Sequence, residues 1–303
     1  MQAWETIQNS LDTIEANLAE AFTVEDLAEQ AALSPFYYQR LFSKLVKKPL
    51  REYIKLRRLA RASEALRDTD ARILDIALLF GFSSHETFTK AFKAAYGITP
   101  EQFRKTRPML NHFDKPDLSL LYTMVDEDVP LISEGLVLSF HRKTLDAPVS
   151  FMGISDYIPI AGQVTLGEET GIDLPGVTWN NFHATKHLIP RKENGREVGV
   201  AFYGDAPEGS FTYFTGAEVE TGAEDARFQT WALPAGHYVI CAFEAESFEE
   251  LVTTAVNKAV KYGERWRAAH HLVMHAYSPE IYYPKGDEEI AYMELWMPVE
   301  AEK

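Results

Sequence analysis

A strand predicted near the carboxyl terminus carries a carboxylate between two aromatic side chains. Alternation along residues 289–298 places Tyr292, Glu294 and Trp296 on one face. A carboxylate there is costly unless it is paired, and a flat cation stacked on the aromatic rings would pair with it. The pattern predicts a site for a hydrophobic small molecule that could be cationic; the alternative is a surface strand with Glu294 in water. Candidate walls, each equally suited to a plain core, are Trp179, Phe182, Tyr203, Tyr213, Tyr282 and Trp296.

Residues for other kinds of chemistry are sparse. His183 and His187 share a helical face, but no glutamate follows the first as in the H-E-x-x-H motif, so zinc is a weak alternative. The sequence contains neither a glycine-rich phosphate loop nor a G-x-S-x-G turn. Cys241 is the sole cysteine and lies in the apolar run YVICAF, which favours a buried thiol. We expect no metal, no cofactor and no catalytic residue.

Two helix-turn-helix units are predicted in the first hundred residues, about 49 residues apart. In the first unit, Thr23 begins a capping box and Ser34, followed by proline, starts a second helix at once. In the second unit, Gly81 permits the turn, and Ser83 or Ser84 caps the helix HETFTKAFKAAY. A long basic helix is predicted between the two units.

The second helix of each unit has the outward residues expected of a recognition helix, which enters a major groove while its neighbours touch phosphates. Gln can read adenine, Arg can read guanine, and an aromatic ring can contact a thymine methyl group. The base-edge candidates are Phe36, Gln39 and Arg40 in the first unit and His85, Glu86, Thr89 and Lys90 in the second. The phosphate candidates are Lys44, Arg57 and Lys93. The alternative for any single residue is a solvated charge on an ordinary helix.

The formal net charge of -15 hides an uneven distribution along the 303 residues. Residues 40–107 hold 16 Lys or Arg against 7 Asp or Glu, whereas residues 111–303 hold 14 against 31. A basic segment is the electrostatic footprint of phosphate binding, and the acidic remainder should repel nucleic acid. No apolar run is long enough to cross a membrane, so no membrane partner is expected.

The helical half resembles the DNA-binding domain of the AraC/XylS family of bacterial transcription regulators, over roughly residues 5–107. In the second unit the resemblance rests on Ile76-Ala77, Gly81-Phe82, Phe88, Phe92, Gly97, Thr99-Pro100 and Phe103-Arg104. In the first unit it rests on Leu27-Ala28, Ser34, Leu41-Phe42 and the segment from Pro49 to Arg58. The resemblance implies double-stranded promoter DNA as a partner, with RNA polymerase as the expected protein partner.

After about residue 135 the pattern changes to two strand-helix-strand-strand units. The first has a strand over 149–157, a helix over 177–188 and strands over 197–204 and 211–219. The second has a strand over 236–244, a helix over 247–267, a strand over 272–283 broken at Pro279, and a strand over 289–298. Packed side by side, the two units would form a curved antiparallel sheet with both helices around a central groove.

This half resembles the GyrI-like small-molecule-binding fold, over about residues 147–299. The residues that carry the resemblance are Trp179, Gly199, Tyr203-Gly204, Tyr213, Gly216, the stretch from Leu233 to Tyr238, Tyr282-Tyr283-Pro284 and the stretch from Glu294 to Pro298. It implies that Glu294 lies in a ligand pocket. Some GyrI-like proteins resemble hydrolases, for which Glu294 and Trp179 would be the needed pair. A DNA-binding domain placed before a GyrI-like domain is the Rob-like arrangement.

Together the patterns predict a two-domain α+β protein. An all-α double helix-turn-helix domain is expected over 1–107, a linker over 108–134, and a GyrI-like domain with a duplicated strand-helix-strand-strand sheet over 135–303. The expected protein is a cytoplasmic, non-enzymatic transcription regulator controlled by a small-molecule effector. The alternative is a GyrI-like hydrolase or drug-sequestering module attached to a DNA-binding domain.

Overall fold

The computed structural model describes residues 3–20, 23–160, 170–273, 277–284 and 291–300. These residues form two compact units. The first unit takes the described residues within Met1–Thr123 and within Gly167–Asp173, and the second takes those within Met124–Leu166 and Leu174–Lys303. Within the described ranges, no helix is long and apolar enough to cross a membrane.

The first unit is helical, as predicted. In chain order it contains α1 (Ala3–Ala16), α2 (Val24–Gln30), α3 (Pro35–Val46), α4 (Leu50–Asp68), α5 (Ile73–Leu79), α6 (His85–Tyr96), α7 (Pro100–Thr106), the short strand β1 (Leu110–Asn111) and α8 (Leu118–Tyr122). The predicted caps are confirmed: Thr23 and Asp26 form the capping box of α2, and Ser34 accepts a hydrogen bond from the amide of Tyr37. Of the two candidate serines, Ser84 caps α6.

Two aromatic cores lie within this unit, one for each helix-turn-helix. Around α2 and α3 the core includes Tyr38, Phe42 and Tyr53, which lie in ring contact from one to the next. Around α5 and α6 it includes Phe88 and Phe92, again in ring contact. Helix α4 contributes to both cores, so it connects the two units as predicted.

A buried ion pair ties α4 to α1. Arg57 is 8% exposed, and its guanidinium donates to both carboxylate oxygens of Glu15 at 2.8 and 2.9 Å. The same guanidinium donates to the carbonyl of Phe113 at 2.7 Å, and the Tyr53 hydroxyl donates to Glu15 at 2.7 Å. The prediction that Arg57 contacts phosphate is therefore wrong, because this side chain points into the unit and is committed to a carboxylate.

The segment after α7, expected to be part of a linker, packs along the first unit as far as Thr123. Phe113 and Leu118 belong to the core around α2 and α3. The ammonium group of Lys115 lies 2.6 Å from a carboxylate oxygen of Asp12, and α8 packs on α1. Strand β1 pairs antiparallel with β5 (Gly171–Ile172), which the chain reaches only after much of the second unit.

In its described residues, the second unit is built on one nine-stranded sheet with the strand order β2-β3-β9-β11-β10-β6-β7-β4-β8. In chain order its elements are β2 (Leu131–Ser133), β3 (Leu136–Leu145), β4 (Val149–Pro159), α9 (Leu174–Thr185) with a 3-10 turn (Lys186–Leu188), β6 (Glu197–Phe202), β7 (Ser210–Glu218), β8 (Gln229–Leu233), β9 (Gly236–Ala245), α10 (Phe248–Glu250) with a π-helical turn (Leu251–Ala255), α11 (Val256–Ala269), β10 (Glu280–Tyr282) and β11 (Ala291–Val299). All strand pairings are antiparallel.

The predicted order of two strand-helix-strand-strand units is present, with three strands that the sequence patterns missed. These are β2, β3 and β8, of which β3 pairs along its whole length with β9. The strand expected over 272–283 is wrong in extent, since the described residues form a strand only at Glu280–Tyr282. Residues 289 and 290 of the last predicted strand lie outside the described residues.

The sheet separates two apolar layers. On one face α9 covers β4 and β7, where Phe182 packs with Met152 and Ala217. The same face meets α11, because Leu295 and Met297 of β11 lie beside Gly263. The other face carries a separate core that draws residues from β4 to β11, including Phe151, Val198, Ile281 and Trp296. A side chain on one face therefore cannot share a pocket with a side chain on the other.

Removal of Glu15 tests the buried ion pair. We expect Glu15→Ala to lower the free energy of unfolding by about 3–5 kcal/mol, because it leaves the Arg57 guanidinium buried without its main carboxylate partner. The matched control is Glu64→Ala, which removes an exposed i,i+3 pair with Arg61 and should cost less than about 1 kcal/mol. Urea unfolding followed by circular dichroism at 222 nm measures both. Equal losses in the two variants would contradict a structural role for the Arg57 pair.

Acid should weaken the first unit through His112. Its ring nitrogens face the Tyr96 hydroxyl at 3.1 Å and the Ser63 hydroxyl at 3.5 Å. Burial, followed by the positive charges of Arg57 and Arg67, lowers the pKa of His112 from 6.5 to about 4. Between those pH values the unfolded chain binds a proton that the folded chain does not, so stability falls as pH drops from 6.5 to 4.

The His112 contribution can be isolated with His112→Gln. Its stability should not carry the same loss, so the advantage of the natural protein should shrink by up to about 3 kcal/mol between pH 7 and pH 4. Urea unfolding of both proteins at several pH values in this range measures the difference. Carboxylate titration is common to both proteins and cancels. A difference that stays constant with pH would mean that His112 titrates normally in the folded state.

Candidate functional site

The outer surface of the first recognition helix, α3, is open to solvent. Phe36 is 76% exposed in the first turn of the helix, and Gln39, Arg40 and Lys44 are exposed along it. Ser34 and Pro35 set the start of the helix, and the buried Tyr38 and Phe42 orient it from below. The sequence-predicted residues of the first unit thus lie on one accessible surface, with an aromatic ring, an amide and a guanidinium available to base edges.

The second recognition helix, α6, presents a more compensated surface. His85, Glu86, Lys90 and Lys93 are exposed. The carboxylate of Glu86 accepts a hydrogen bond from the Lys90 ammonium at 2.8 Å, in an i,i+4 pair. Thr89 is partly buried, and its hydroxyl oxygen is shielded from solvent. The carboxylate that looked out of place in the sequence is therefore balanced within its own helix, and the Thr89 hydroxyl is turned away from the surface.

A second arginine of α4, Arg58, joins the two helix-turn-helix units. Its guanidinium donates to the carbonyls of Leu18 and Glu20 at 2.8 and 2.7 Å, beyond the end of α1. The guanidinium also lies against the turn of the second helix-turn-helix, where a Cβ on Gly81 would come 2.6 Å from Nη1 of Arg58. Gly81 has a φ of +74°, so this turn needs glycine for its backbone conformation and for the space that Arg58 fills.

An acidic and aromatic cluster lies on the helix-covered face of the second unit. Glu280 accepts hydrogen bonds from the hydroxyls of Tyr282 at 2.9 Å and Tyr213 at 3.4 Å. Tyr213 in turn accepts from the indole nitrogen of Trp179 at 3.0 Å. The rings of Trp179 and Tyr282 meet edge to face, with 4.8 Å between their centroids. We call these four residues the Glu280 cluster.

The backbone beneath the Glu280 cluster requires a glycine. A Cβ on Gly199 would come 2.7 Å from the Tyr213 hydroxyl, 3.0 Å from the Trp179 ring and 3.2 Å from the Glu280 carboxylate. The three side chains therefore converge over one residue of β6. Tyr213 is buried, whereas Trp179, Tyr282 and Glu280 are partly exposed. The arrangement offers aromatic rings and a carboxylate to a ligand that arrives from solvent.

Glu294 lies in different surroundings. It is 5% exposed, and three donors surround its carboxylate: the hydroxyl of Tyr292 at 2.5 Å, the hydroxyl of Tyr283 at 2.6 Å and the indole nitrogen of Trp296 at 2.7 Å. Burial, and then the hydrogen bond and charge of Glu294, raise the pKa of Tyr283 and of Tyr292 well above the usual range, so both phenols remain donors. The chain itself thus supplies the partners that a buried carboxylate needs.

The predicted single pocket is therefore wrong. The predicted alternation of β11 is confirmed, and it places Glu294 and Trp296 on the sheet face opposite Trp179, Tyr213 and Tyr282. Over the Trp296 ring the chain already places the ammonium of Lys143, 4.7 Å from the centroid. Phe182 of α9 is buried in the core between this helix and the sheet, and Tyr203 is 65% exposed beyond the end of β6. The pair proposed for a hydrolase, Glu294 and Trp179, is separated for the same reason.

Glu280 is the residue of this cluster that the sequence patterns missed. The signal available was the period-2 alternation of Glu280, Ile281 and Tyr282, in which the middle residue is buried and its neighbours point the other way. Next to the cluster, Glu197 is paired with the Lys186 ammonium at 2.6 Å, and His183 lies 3.7 Å away. Across the described ranges, no group of three or more His, Cys, Asp or Glu residues is placed to hold a metal ion.

Two family models match the chain, one in each half. Residues 27–106 match a model described as a helix-turn-helix domain. Residues 156–299 match a model described as an integron-associated effector binding protein. The first match begins within α2 and runs through the rest of both helix-turn-helix units, and the second contains every residue of the Glu280 cluster.

Individual relatives match the helical half. The transcriptional activator AarP of Providencia stuartii is 39% identical over 98 residues, which are 32% of this chain and 73% of that protein. The right origin-binding protein of Escherichia coli is 35% identical over 133 residues, 42% of this chain and 46% of that protein. Among the curated relatives it matches, the chain spans from about a third to about three quarters of their length.

A solved structure also matches over part of the chain. The structure of SAV2435 bound to tetraphenylphosphonium is 19% identical, covers 54% of this chain and 94% of its own, and has a TM-score of 0.40.

Proposed function

The chain belongs to the AraC-type helix-turn-helix transcription regulators and carries an effector-binding domain, and on that premise we propose which surfaces bind DNA and effector. The DNA-binding surface consists of the outer faces of α3 and α6, which bind in two successive major grooves. The effector surface is the Glu280 cluster, and its ligand is a hydrophobic cation. The protein would act in the cytoplasm, where it binds promoter DNA and contacts RNA polymerase.

Burial and exposure support the DNA-binding proposal. Phe36, Gln39 and Arg40 are exposed on the first half of α3, where a recognition helix presents base-reading side chains. Lys44 and Lys93 lie further along α3 and α6 and suit phosphate contacts. The two recognition helices differ in how available their basic side chains are. Lys90 of α6 is paired with Glu86 one turn earlier on its helix, whereas the residue one turn before Arg40 on α3 is Phe36. We expect α3 to supply more of the affinity.

Alanine at Arg40 and Lys90 tests the DNA-binding surface. We expect Arg40→Ala to weaken binding about tenfold or more, and the double variant with Lys90→Ala to weaken it further and flatten the salt dependence. The DNA is a duplex selected by the natural protein from a random-sequence pool, hereafter the operator duplex, and binding is followed by fluorescence anisotropy at several salt concentrations. The matched control is Arg142→Ala, which removes an exposed arginine from the second unit. An unchanged affinity and salt slope in the double variant would refute the assignment.

The single observation that carries the effector proposal is the partly exposed carboxylate of Glu280 set among Trp179, Tyr213 and Tyr282. A cation gains from the negative face of an aromatic ring and from the carboxylate itself. An anion would gain neither, and a neutral apolar molecule would gain only the contact area. Glu294 is the weaker candidate, because it is only 5% exposed and its oxygens already accept from three donors.

Two ions of matched shape and opposite charge test the effector class. We expect tetraphenylphosphonium to bind the natural protein and tetraphenylborate to bind at least about tenfold more weakly, because Glu280 selects for positive charge. Glu280→Gln should remove about tenfold of the tetraphenylphosphonium affinity, whereas Glu294→Gln should leave it within about threefold. Isothermal titration calorimetry measures the affinities, and circular dichroism confirms that each variant is folded. Equal affinity for both ions, or a loss confined to folded Glu294→Gln, would refute the assignment.

A further inference from the structure

Strand β5 is an unusual piece of the first unit. Of the described residues after β4, 170–173 belong to the first unit, and the chain is in the second unit again from Leu174. Within the first unit, Ile172 lies opposite Leu110 and Gly171 lies opposite Asn111. The amide of Asp173 donates to the carbonyl of Met109 at 2.9 Å. We call residues 171–173 the strap.

The strap contacts the second helix-turn-helix through β1 and α6. Leu110, the partner of Ile172, packs against the core of α5 and α6, which contains Phe88, Phe92 and Tyr96. The strap also lies directly beside α6, the second recognition helix. A change in the pairing of the strap therefore acts on the packing beneath a helix that reads DNA.

At its other end the strap is followed directly, with no intervening residue, by the helix that carries Trp179 of the proposed effector site. Helix α9 begins at Leu174, the residue after Asp173, and Trp179 of the Glu280 cluster lies in its second turn. The helix is held to the second unit by Phe182 in the core and by a hydrogen bond from the Thr178 hydroxyl to Asp156 at 2.8 Å. A displacement of α9 along its axis is therefore passed directly to the strap.

The strap is specific in geometry and small in extent. Gly171 has a φ of +153°, a conformation that strains any residue with a Cβ, so its position in the pair needs glycine. The strand pairing covers only two opposed residue pairs. So short a ladder can open at a cost comparable with the coupling energies of allosteric proteins, whereas the main sheet of the second unit cannot.

We propose that the strap is the element through which effector binding at the Glu280 cluster changes DNA binding by α6. It deepens the proposed function and rests on it for the identity of the effector site. In one state the strap is paired with β1 and supports the second helix-turn-helix, and in the other it is released. An effector that shifts Trp179 and the start of α9 favours one state, and operator DNA biases the same equilibrium from the other side.

A reversible disulfide can lock the strap in its paired state. Leu110→Cys/Ile172→Cys places two cysteines at directly opposed positions of an antiparallel pair, a separation that a disulfide can span. The natural Cys241 is fully buried and stays out of the reaction. The matched control pair is Ile132→Cys/Val137→Cys, which crosses β2 and β3 in the second unit. Each protein is compared oxidised and reduced, so the reduced form controls for the substitutions themselves.

A second variant releases the strap. Asp173→Pro removes the amide that donates to Met109, and Asp173→Ala keeps that amide while removing the same side chain. We expect the affinities of the locked and released proteins for the operator duplex to differ by about fivefold or more, with the control pair close to the natural protein. The effect of Asp173→Ala gives the contribution of the side chain, and the released protein should differ from it as well. Equal operator affinity in the locked and released proteins would overturn the proposal.

The effector is then added to the same proteins. Tetraphenylphosphonium should change operator affinity in the natural protein and in the reduced lock, and the change should disappear in the oxidised lock and return with reductant. A change that persists in the oxidised lock would overturn the proposal. If the natural protein does not bind tetraphenylphosphonium, the proposed effector class has failed, and the strap is judged by hydrogen exchange of the α9 amides. Operator DNA should alter that exchange in the natural protein and leave the locked protein unchanged; unaltered exchange in the natural protein would overturn the strap.

Discussion

The alternation of side chains across one antiparallel sheet is the constraint that organises the second unit. Successive residues of a strand must point to opposite faces, so Glu280 of β10 and Glu294 of β11, although their strands are neighbours, project to different layers. One face is covered in part by α9 and α11 and leaves the Glu280 cluster accessible. The other closes over Glu294 with aromatic donors. Two glutamates, Glu280 and Glu294, thus lie among aromatic residues in different environments, and they differ in exposure and in hydrogen-bond partners.

In the first unit the comparable constraint is that two small helix-turn-helix cores share a single helix. Helix α4 contributes to both cores and connects them with two buried or half-buried arginines. Arg57 holds α1 and the segment after α7 through Glu15 and Phe113, and Arg58 holds the end of α1 and the turn at Gly81. Basic residues that looked like part of a phosphate-binding surface are therefore partly structural, and the charge of residues 40–107 overstates what DNA would meet.

Local signals predicted the helical half well, and long-range pairings lay beyond them. A capping serine or a turn glycine acts on residues three or four positions away, so Thr23, Ser34 and Gly81 could be interpreted from sequence. The role of Arg57 depends on Glu15, 42 positions earlier, and no local pattern reveals that pair. Strand β3 was missed although Leu136, Leu138 and Phe140 alternate, because the segment before it looked irregular. Trp179, Tyr213 and Tyr282, predicted from the sequence as walls of one pocket, lie together in the structure. Which carboxylate lies beside them depends on the face that each strand residue occupies, which the sequence patterns did not resolve.

A chain with two binding surfaces needs an element that is weaker than either unit if the surfaces are to influence one another. The main sheet cannot serve, since its long ladders open only with the whole unit, and the cores of α3 and α6 cannot change without loss of the recognition helices. Residues 171–173 fit this requirement as proposed above, because their strand pairing covers two residue pairs, depends on a glycine backbone conformation, and ends where α9 begins. The same logic agrees with a proposed effector site that includes a residue of α9 as well as strand residues. A ligand held by strands alone would touch only the rigid sheet, whereas contact with Trp179 gives it purchase on the helix that continues from the strap.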